Sequence, residues 1–425
     1  MLLNKERTYE FMSKHNLDAL VATLPQNVTY FTGYASWVSR AYREWQRIPG
    51  GSNMMRQTYG VVTKDESTSP SLIISIDASN YYAQHPNWVK TENVYTYGGS
   101  SQEKSLTNIQ LRPEERLLLE IMTAADRNTP TPSQSLVKAL RQNNIDRGRV
   151  GLDMENLSPE VLETLKKEFP DVEFGNVCQL IRLIRMVKTA DEVECVKKAL
   201  TFSENAKEEI IKNIRVGVSE RRLEQVAHRS IADQGGQLEF FNCPSGSRGY
   251  YSLFPPSDYK LQKGDTIGYD FGCIADGYHS DIGDCAVLGT PSKKQLEIYD
   301  AMTQSMRVGE KLLQAGVKTS EIPNAMEKAL KKAGITPWPN VGHGVGLEIR
   351  DYPLFRIPPF LEHDGIKDDF VKVSQDIPLE EGMVLNLEVA HRSPGIGFLE
   401  IEYTYHITQK GARLIYPQQC KLLAL

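Results

Sequence analysis

The sequence predicts an α/β (α+β) chain of two domains, and three observations carry that prediction. The chain has 425 residues with 40% hydrophobic content, more than the roughly 250–300 residues that a single hydrophobic core serves. Its first part alternates short apolar runs with amphipathic stretches, as strands joined by helices do. Its last part holds three runs in which apolar and polar residues alternate and an acidic residue takes the polar side, the pattern of strands with one buried face.

Taken in order, Leu17–Leu24 reads as a first strand after an N-terminal helix, and Tyr59–Val62 and Leu72–Ile76 as further strands. Between them Trp37–Gln57, with Arg40, Arg43, Trp45, Arg47 and Arg56, is a long polar and aromatic insert. Leu136–Leu140, the strand Val150–Asp153 and the helix Pro159–Phe169 continue the α/β pattern. The chain is expected to cross between domains around Val177–Lys188, giving domains 1–178 and 179–425.

The second domain opens with a legible helix start. Thr189–Glu192 is a capping box, in which the Thr oxygen and the Glu carboxylate satisfy orphan N–H groups. Val193, Val196, Leu200, Ile210, Ile211 and Ile214 supply the apolar stripe, and Gly217 ends it. A second helix runs from Ser219, a third from Pro291–Gln295, and a fourth over Glu321–Ala333. No repeat period, low-complexity tract or charge block interrupts the chain.

The chemistry lies on the alternating runs. In Asp265–Gly272, Ile267, Tyr269 and Phe271 share one face, so a strand buries them and turns Asp270 to the other side. Gly382–Val389 repeats the logic, with Leu385, Leu387 and Val389 opposite Asn386 and Glu388. Glu400–Ile407 does so again, with Glu400, Glu402, Thr404 and His406 on the polar side. The turn signal Ser393–Gly397 between them lets Glu388 and Glu402 face each other across a hairpin. With Asp281 and with His343 in a Gly-rich segment, the chain offers an ordered series of Asp270, Asp281, His343, Glu388 and Glu402. Four carboxylates and one imidazole suit two divalent ions that share oxygen bridges.

At these residues the chain resembles the pita-bread metallohydrolases, the family of methionine aminopeptidase, aminopeptidase P, prolidase and creatinase. Their shared order is an Asp, a second Asp eleven residues on, a His in a Gly-rich segment and two Glu near the C-terminus, and this chain keeps all five. Met186–Val193, Gly217–Glu220, Leu261–Asp265 and Glu381–Val384 are similar to the family as well, over roughly residues 180–415. Asn27–Gly33 extends a weaker likeness into the N-terminal half. The resemblance implies an N-terminal creatinase-like domain followed by a C-terminal pita-bread domain, as in the proline-peptidase and creatinase branch.

It also implies roles. Asp270 binds one metal in a bidentate manner, His343 completes the site on the other, Asp281 and Glu402 bridge, and Glu388 is both ligand and catalytic proton carrier. Two cations sharing a water lower its pKa, giving a bridging hydroxide at neutral pH, and polarise the scissile carbonyl. Four hard oxygen ligands and one nitrogen suit Mn²⁺, with Co²⁺, Fe²⁺ and Zn²⁺ as alternatives. By the same resemblance the insert Trp37–Gln57 is either a loop reaching a neighbouring subunit's active site in a homodimer or an ordinary solvated loop.

The departures shape the substrate expectation. Family peptidases carry two further histidines, at positions occupied here by Leu253 and Arg350, and many carry an Arg where this chain has Glu400. Leu253 cannot pass a proton, and Arg350 adds permanent charge where an imidazole stands in relatives. The main expectation is therefore hydrolysis of a C–N bond in a small carboxylate-bearing amide or related compound, with Arg350 and Arg248 pairing the anion. The alternatives are a Xaa-Pro dipeptidase or aminopeptidase, for which dipeptides ending in proline are good substrates, and a non-catalytic partner-binding family member.

Other features exclude or narrow. A net charge of −5 and a pI near 6.0 give no general attraction to nucleic acid or anionic membrane. The N-terminal residues run into an amphipathic helix without an apolar leader, and nothing approaches about 18 uninterrupted apolar residues, so a cytoplasmic protein is expected. Cys178, Cys195, Cys243, Cys273, Cys285 and Cys420 are scattered, without C-x-x-C spacing, and read as reduced packing residues. His279 reads as a surface or supporting residue rather than a sixth ligand, and His391 and His406 as hydrogen-bonded structural histidines. Gly342–Gly346 lacks the Lys-Ser/Thr ending of a phosphate loop.

Overall fold

The computed structural model describes residues 2–35, 56–85, 87–99, 110–250, 255–336, 341–356, 367–374, 376–418 and 420–425. Leu253 and residues 37–55 of the aromatic insert lie outside the described residues. The chain divides into two compact units, Met1–Arg185 with Asp364–Val373, and Met186–His363 with Ser374–Leu425.

The first unit is built on one sheet of strands β1 (Ala19–Ala22), β2 (Tyr59–Thr63), β3 (Ser71–Ser75), β4 (Val94–Tyr97), β5 (Asn128–Thr129), β6 (Gly148–Leu152) and β7 (Val172–Asn176), in the order β5-β4-β3-β2-β1-β6-β7. Only the β1/β2 and β2/β3 pairs are antiparallel. Central strands that read as continuous apolar runs, such as Ala19–Ala22, are buried throughout, as strands covered on both faces must be. The unit ends with the helix Cys178–Arg185, beyond the expected boundary at residue 178. That helix is anchored by a distant segment: the Asp368 carboxylate accepts the N–H groups of Gln179 and Leu180 at 2.9 and 2.7 Å, which satisfies orphan donors of its first turn.

The second unit carries two five-stranded sheets. One contains β8 (Gln237–Asn242), β9 (Thr266–Ala275), β10 (Tyr278–His279), β11 (Ile282–Val287) and β17 (Leu423–Ala424), ordered β10-β9-β11-β17 with β8 also on β9. The other contains β12 (Gly342–Gly344), β13 (Asp351–Leu354), β14 (Val384–Ser393), β15 (Gly397–Thr408) and β16 (Gly411–Leu414), ordered β13-β12-β14-β15-β16. Glycines mark where β9 and β11 approach β15. A β-carbon at Gly268 would lie 2.3 Å from the Phe398 ring, and one at Gly283 would lie 2.7 Å from the Glu400 carboxyl carbon.

The expected helices form. Thr189 and Glu192 make the reciprocal capping box of the helix Ala190–Asn213, at 2.9 and 3.3 Å. Ser219 caps Glu220–Asp233, and Ser292 with Gln295 caps Lys293–Leu312. Leu200, Ile210 and Ile214 meet Leu223, Ala227 and Ile231 in a core that also takes Ile267, Tyr269 and Phe271 from β9. That core uses the apolar face of β9 and leaves Asp270 on the other. No described helix is long and apolar enough to cross a membrane.

Candidate metal centre

Asp270 sits on β9 opposite Asn242 of β8 and Gly283 of β11. The Asn242 side-chain amide donates to Asp270 Oδ2 at 3.2 Å. Asp281 immediately precedes β11, and His343 lies on β12 opposite Asn386 of β14. In the hairpin of β14 and β15, Glu388 pairs directly with Glu402, so both side chains leave the same face.

These positions converge. Single ligand atoms of Asp281, His343 and Glu402 all lie within 4.8 Å of one another, and all three residues are buried. His343 Nε2 stands 3.4 Å from Asp281 Oδ2, while its Nδ1 lies 2.8 Å from the Gly344 carbonyl oxygen. A proton on Nδ1 donated to that carbonyl leaves the Nε2 lone pair turned to the carboxylates, the usual arrangement of a ligating histidine. Asp270 and Glu388 share the field: Asp281 and His343 are among the charges that act on each of them.

The supporting contacts come from residues to which the sequence assigned no role. Asn386, fully buried, donates to Glu402 Oε1 at 3.0 Å and to the Asp281 carbonyl at 3.1 Å. Thr404 donates to Asn386 Oδ1 at 2.7 Å and so sets the orientation of the amide. Both stand two residues from a ligand candidate on the polar side of their strands, a signal present in the sequence. Asn242 has no such local signal, because only strand pairing brings it to Asp270.

Burial dominates the electrostatics. It pushes the carboxyl groups of Asp270, Asp281 and Glu388 up to about 7, and those of Glu402 and Glu400 well above the usual range. Neighbouring carboxylates add to the rise for Asp270, Glu388, Glu400 and Glu402, since like charges at such spacing repel by several kcal/mol at an effective dielectric of about 20. The same burial lowers the imidazole of His343. Without a counter-cation the group resists ionisation, and with one its members become ligands. Asp281 Oδ1 is buried and has no hydrogen-bond partner among the described residues, which also fits an ion at this place. The donor set therefore suits divalent cations.

The remaining predicted residues fall differently. Arg350 is exposed, and its charge opposes the rise at Asp270, Asp281 and Glu388. Arg248 Nη1 lies 3.3 Å from Glu220 and 2.8 Å from Ser257, and the guanidinium covers the Tyr259 ring. That guanidinium is taken up by an internal carboxylate. His279 is buried, not at the surface, with Nδ1 2.5 Å from Glu239 Oε2. His391 Nε2 bonds Ser393 at 2.9 Å, as a structural histidine does. All six cysteines are free, with Cys273 in the hydrophobic core.

The profile described as metallopeptidase family M24 matches residues 194–409, half of the chain, and the profile of the creatinase/prolidase N-terminal domain matches residues 5–187. The chain belongs to metallopeptidase family M24, a family of metal-dependent hydrolases, and is one of its two-domain members. Among similar proteins is the Xaa-Pro dipeptidase of Pyrococcus furiosus, 29% identical over 272 residues, which are 63% of this chain and 73% of that protein. The Xaa-Pro dipeptidase of Lactobacillus helveticus is 25% identical over 66% of this chain and 73% of its own. The fold is shared with a Bacillus anthracis Xaa-Pro dipeptidase (TM-score 0.74, 20% identity) and with the Pyrococcus horikoshii prolidase (TM-score 0.72, 22% identity), each over 99% of both chains.

Proposed function

We propose that this chain is a metal-dependent dipeptidase that hydrolyses the peptide bond before proline in small, carboxylate-ended substrates. The observation that carries the reading is the buried grouping of Asp281, His343 and Glu402, placed within a family match whose similar proteins include Xaa-Pro dipeptidases. In this reading Asp270, Asp281, His343, Glu388 and Glu402 hold two divalent ions. Mn²⁺ suits their oxygen-rich set best. When bound, such ions acidify water and polarise a carbonyl.

The chain's own residues supply the rest. Glu388, only partly buried, takes the proton from the attacking water and passes it to the leaving proline nitrogen, so that water and peptide become an acid and a secondary amine. Asn386 and Thr404 hold Glu402 in one orientation. Arg350, at the exposed edge, pairs the substrate carboxylate through its guanidinium fork. A cytoplasmic homodimer completes the reading.

The expectation of a small non-peptide amide is the second reading, and Arg350 favours it equally, since any compact carboxylate suits that position. The similar dipeptidases favour the peptide. The test is hydrolysis by the Mn²⁺-loaded chain of Xaa-Pro dipeptides beside non-peptide amides of the same size. A kcat/KM of about 10⁴ M⁻¹s⁻¹ or more on the dipeptides is expected. Turnover confined to the non-peptide amides would move the assignment to the second reading.

A further inference from the structure

We infer that Glu400 is an additional carboxylate ligand of the cation pocket, beyond the five residues assigned to it above. The inference rests on the metal-dependent reading and concerns a residue that the family pattern of five ligands does not include.

The placement follows from the strands. Glu400 is two residues from Glu402 on β15, so both side chains leave the same face, and its register partner on β14 is Ala390, whose methyl offers no hydrogen bond. Across from it on β11 is Gly283. Gly283 has no side chain, and the Glu400 carboxyl fills the space that one would take: a β-carbon there would lie 2.8 Å from Glu400 Oε2. Gly283 in turn pairs with Asp270, and side chains at directly paired positions are about 5 Å apart. Glu400 therefore presents its carboxyl beside that of Asp270, from the facing sheet.

The surroundings leave it in need of positive charge. Glu400 is 3% exposed, and its Oε2 is buried with no hydrogen-bond partner among the described residues. Asp270, Glu388 and Asp281 all act on it with like charge. Five carboxylates thus share one pocket with two guanidiniums, Arg350 and Arg392. A buried carboxylate oxygen with no donor costs several kcal/mol unless it is paired or coordinated. A cation held between Asp270 and Glu400 satisfies Oε2 and removes the repulsion together.

The test is Mn²⁺ titration by calorimetry on the metal-stripped full chain and on Glu400→Gln, with thermal melts of both, with and without Mn²⁺. The expected result is a 10-fold or greater loss of affinity for at least one ion in Glu400→Gln. Its Mn²⁺-induced rise in melting temperature should be smaller than that of the wild type. Unchanged Mn²⁺ affinity in a folded Glu400→Gln chain would overturn the inference while leaving the five-residue centre intact. A wild-type chain that binds no Mn²⁺ would overturn the underlying reading instead. Should Glu400→Gln not fold, Glu400→Asp serves: a shortened carboxylate that withdraws from Asp270 must weaken Mn²⁺ binding, and equal binding counts against the inference.

Discussion

Asn386→Ala is the perturbation whose size can be worked most directly from the structure. The amide uses both of its hydrogens and its oxygen: Glu402 Oε1 at 3.0 Å, the Asp281 carbonyl at 3.1 Å and the Thr404 hydroxyl at 2.7 Å. Alanine leaves three buried polar groups without partners, each costing about 1–3 kcal/mol. Water entering the vacated space offsets part of this, so a loss of about 3 kcal/mol in the stability of the metal-free chain is expected. The effect on the metal is separate. Groups that orient ligands typically contribute 10- to 100-fold to metal affinity, which corresponds to about 1.4–2.8 kcal/mol. Urea denaturation of the metal-free protein reads the first quantity and Mn²⁺ titration the second. Thr404→Val removes one bond of the three and should cost about 1 kcal/mol. The double variant should lose less than the sum, because the hydroxyl acts through the amide. Mn²⁺ affinity within twofold of wild type in a folded Asn386→Ala chain would refute the supporting role.

Other outcomes follow from the same geometry. Glu388→Gln should keep at least one ion while losing most hydrolysis, since an amide coordinates weakly but accepts no proton; metal analysis beside turnover checks it, and full activity would remove the residue from proton transfer. Because folded Asp270, Asp281 and Glu388 titrate near 7 against about 4 in an unfolded chain, the metal-free folded state holds more protons than the unfolded one between pH 4 and 7. Its stability should therefore fall as pH rises through that window, and the rise in Tm on adding Mn²⁺ should be larger at pH 8 than at pH 5.5; a metal-free Tm flat across the window would contradict this. Arg350→Ala should raise KM for carboxylate-ended dipeptides more than it lowers kcat, and Arg350→Lys should restore only part of the affinity. Thr189→Ala should cost about 1 kcal/mol through loss of the helix cap, read by denaturant unfolding.

Much of this molecule is local in the sequence, and the parts that were illegible are those made by long-range pairing. The helix beginning at Thr189 announces itself through a capping box, and Ile267, Tyr269 and Phe271 reveal the buried side of β9 by alternation alone. The hairpin register of Glu388 and Glu402 follows from a turn of known length between two alternating runs. By contrast, nothing near Gln179 signals that Asp368 will cap its helix, since the partner arrives from nearly two hundred residues away. Asn242 reaches Asp270 only because β8 joins β9, and the packing of Glu400 over Gly283 depends on how two sheets face each other. The pairing of Arg248 with Glu220 is of the same long-range kind, since nothing beside Arg248 in the sequence announces that carboxylate. Charge and spacing identify candidates, and tertiary contacts decide which of them are already occupied.

The most direct test of the account is anomalous diffraction at the manganese edge from crystals of the full chain grown with Mn²⁺. The account predicts two peaks among Asp270, Asp281, His343, Glu388 and Glu402, both lost in Asp281→Ala with the fold retained. No peak at these residues, or peaks that persist unchanged in Asp281→Ala, would contradict it.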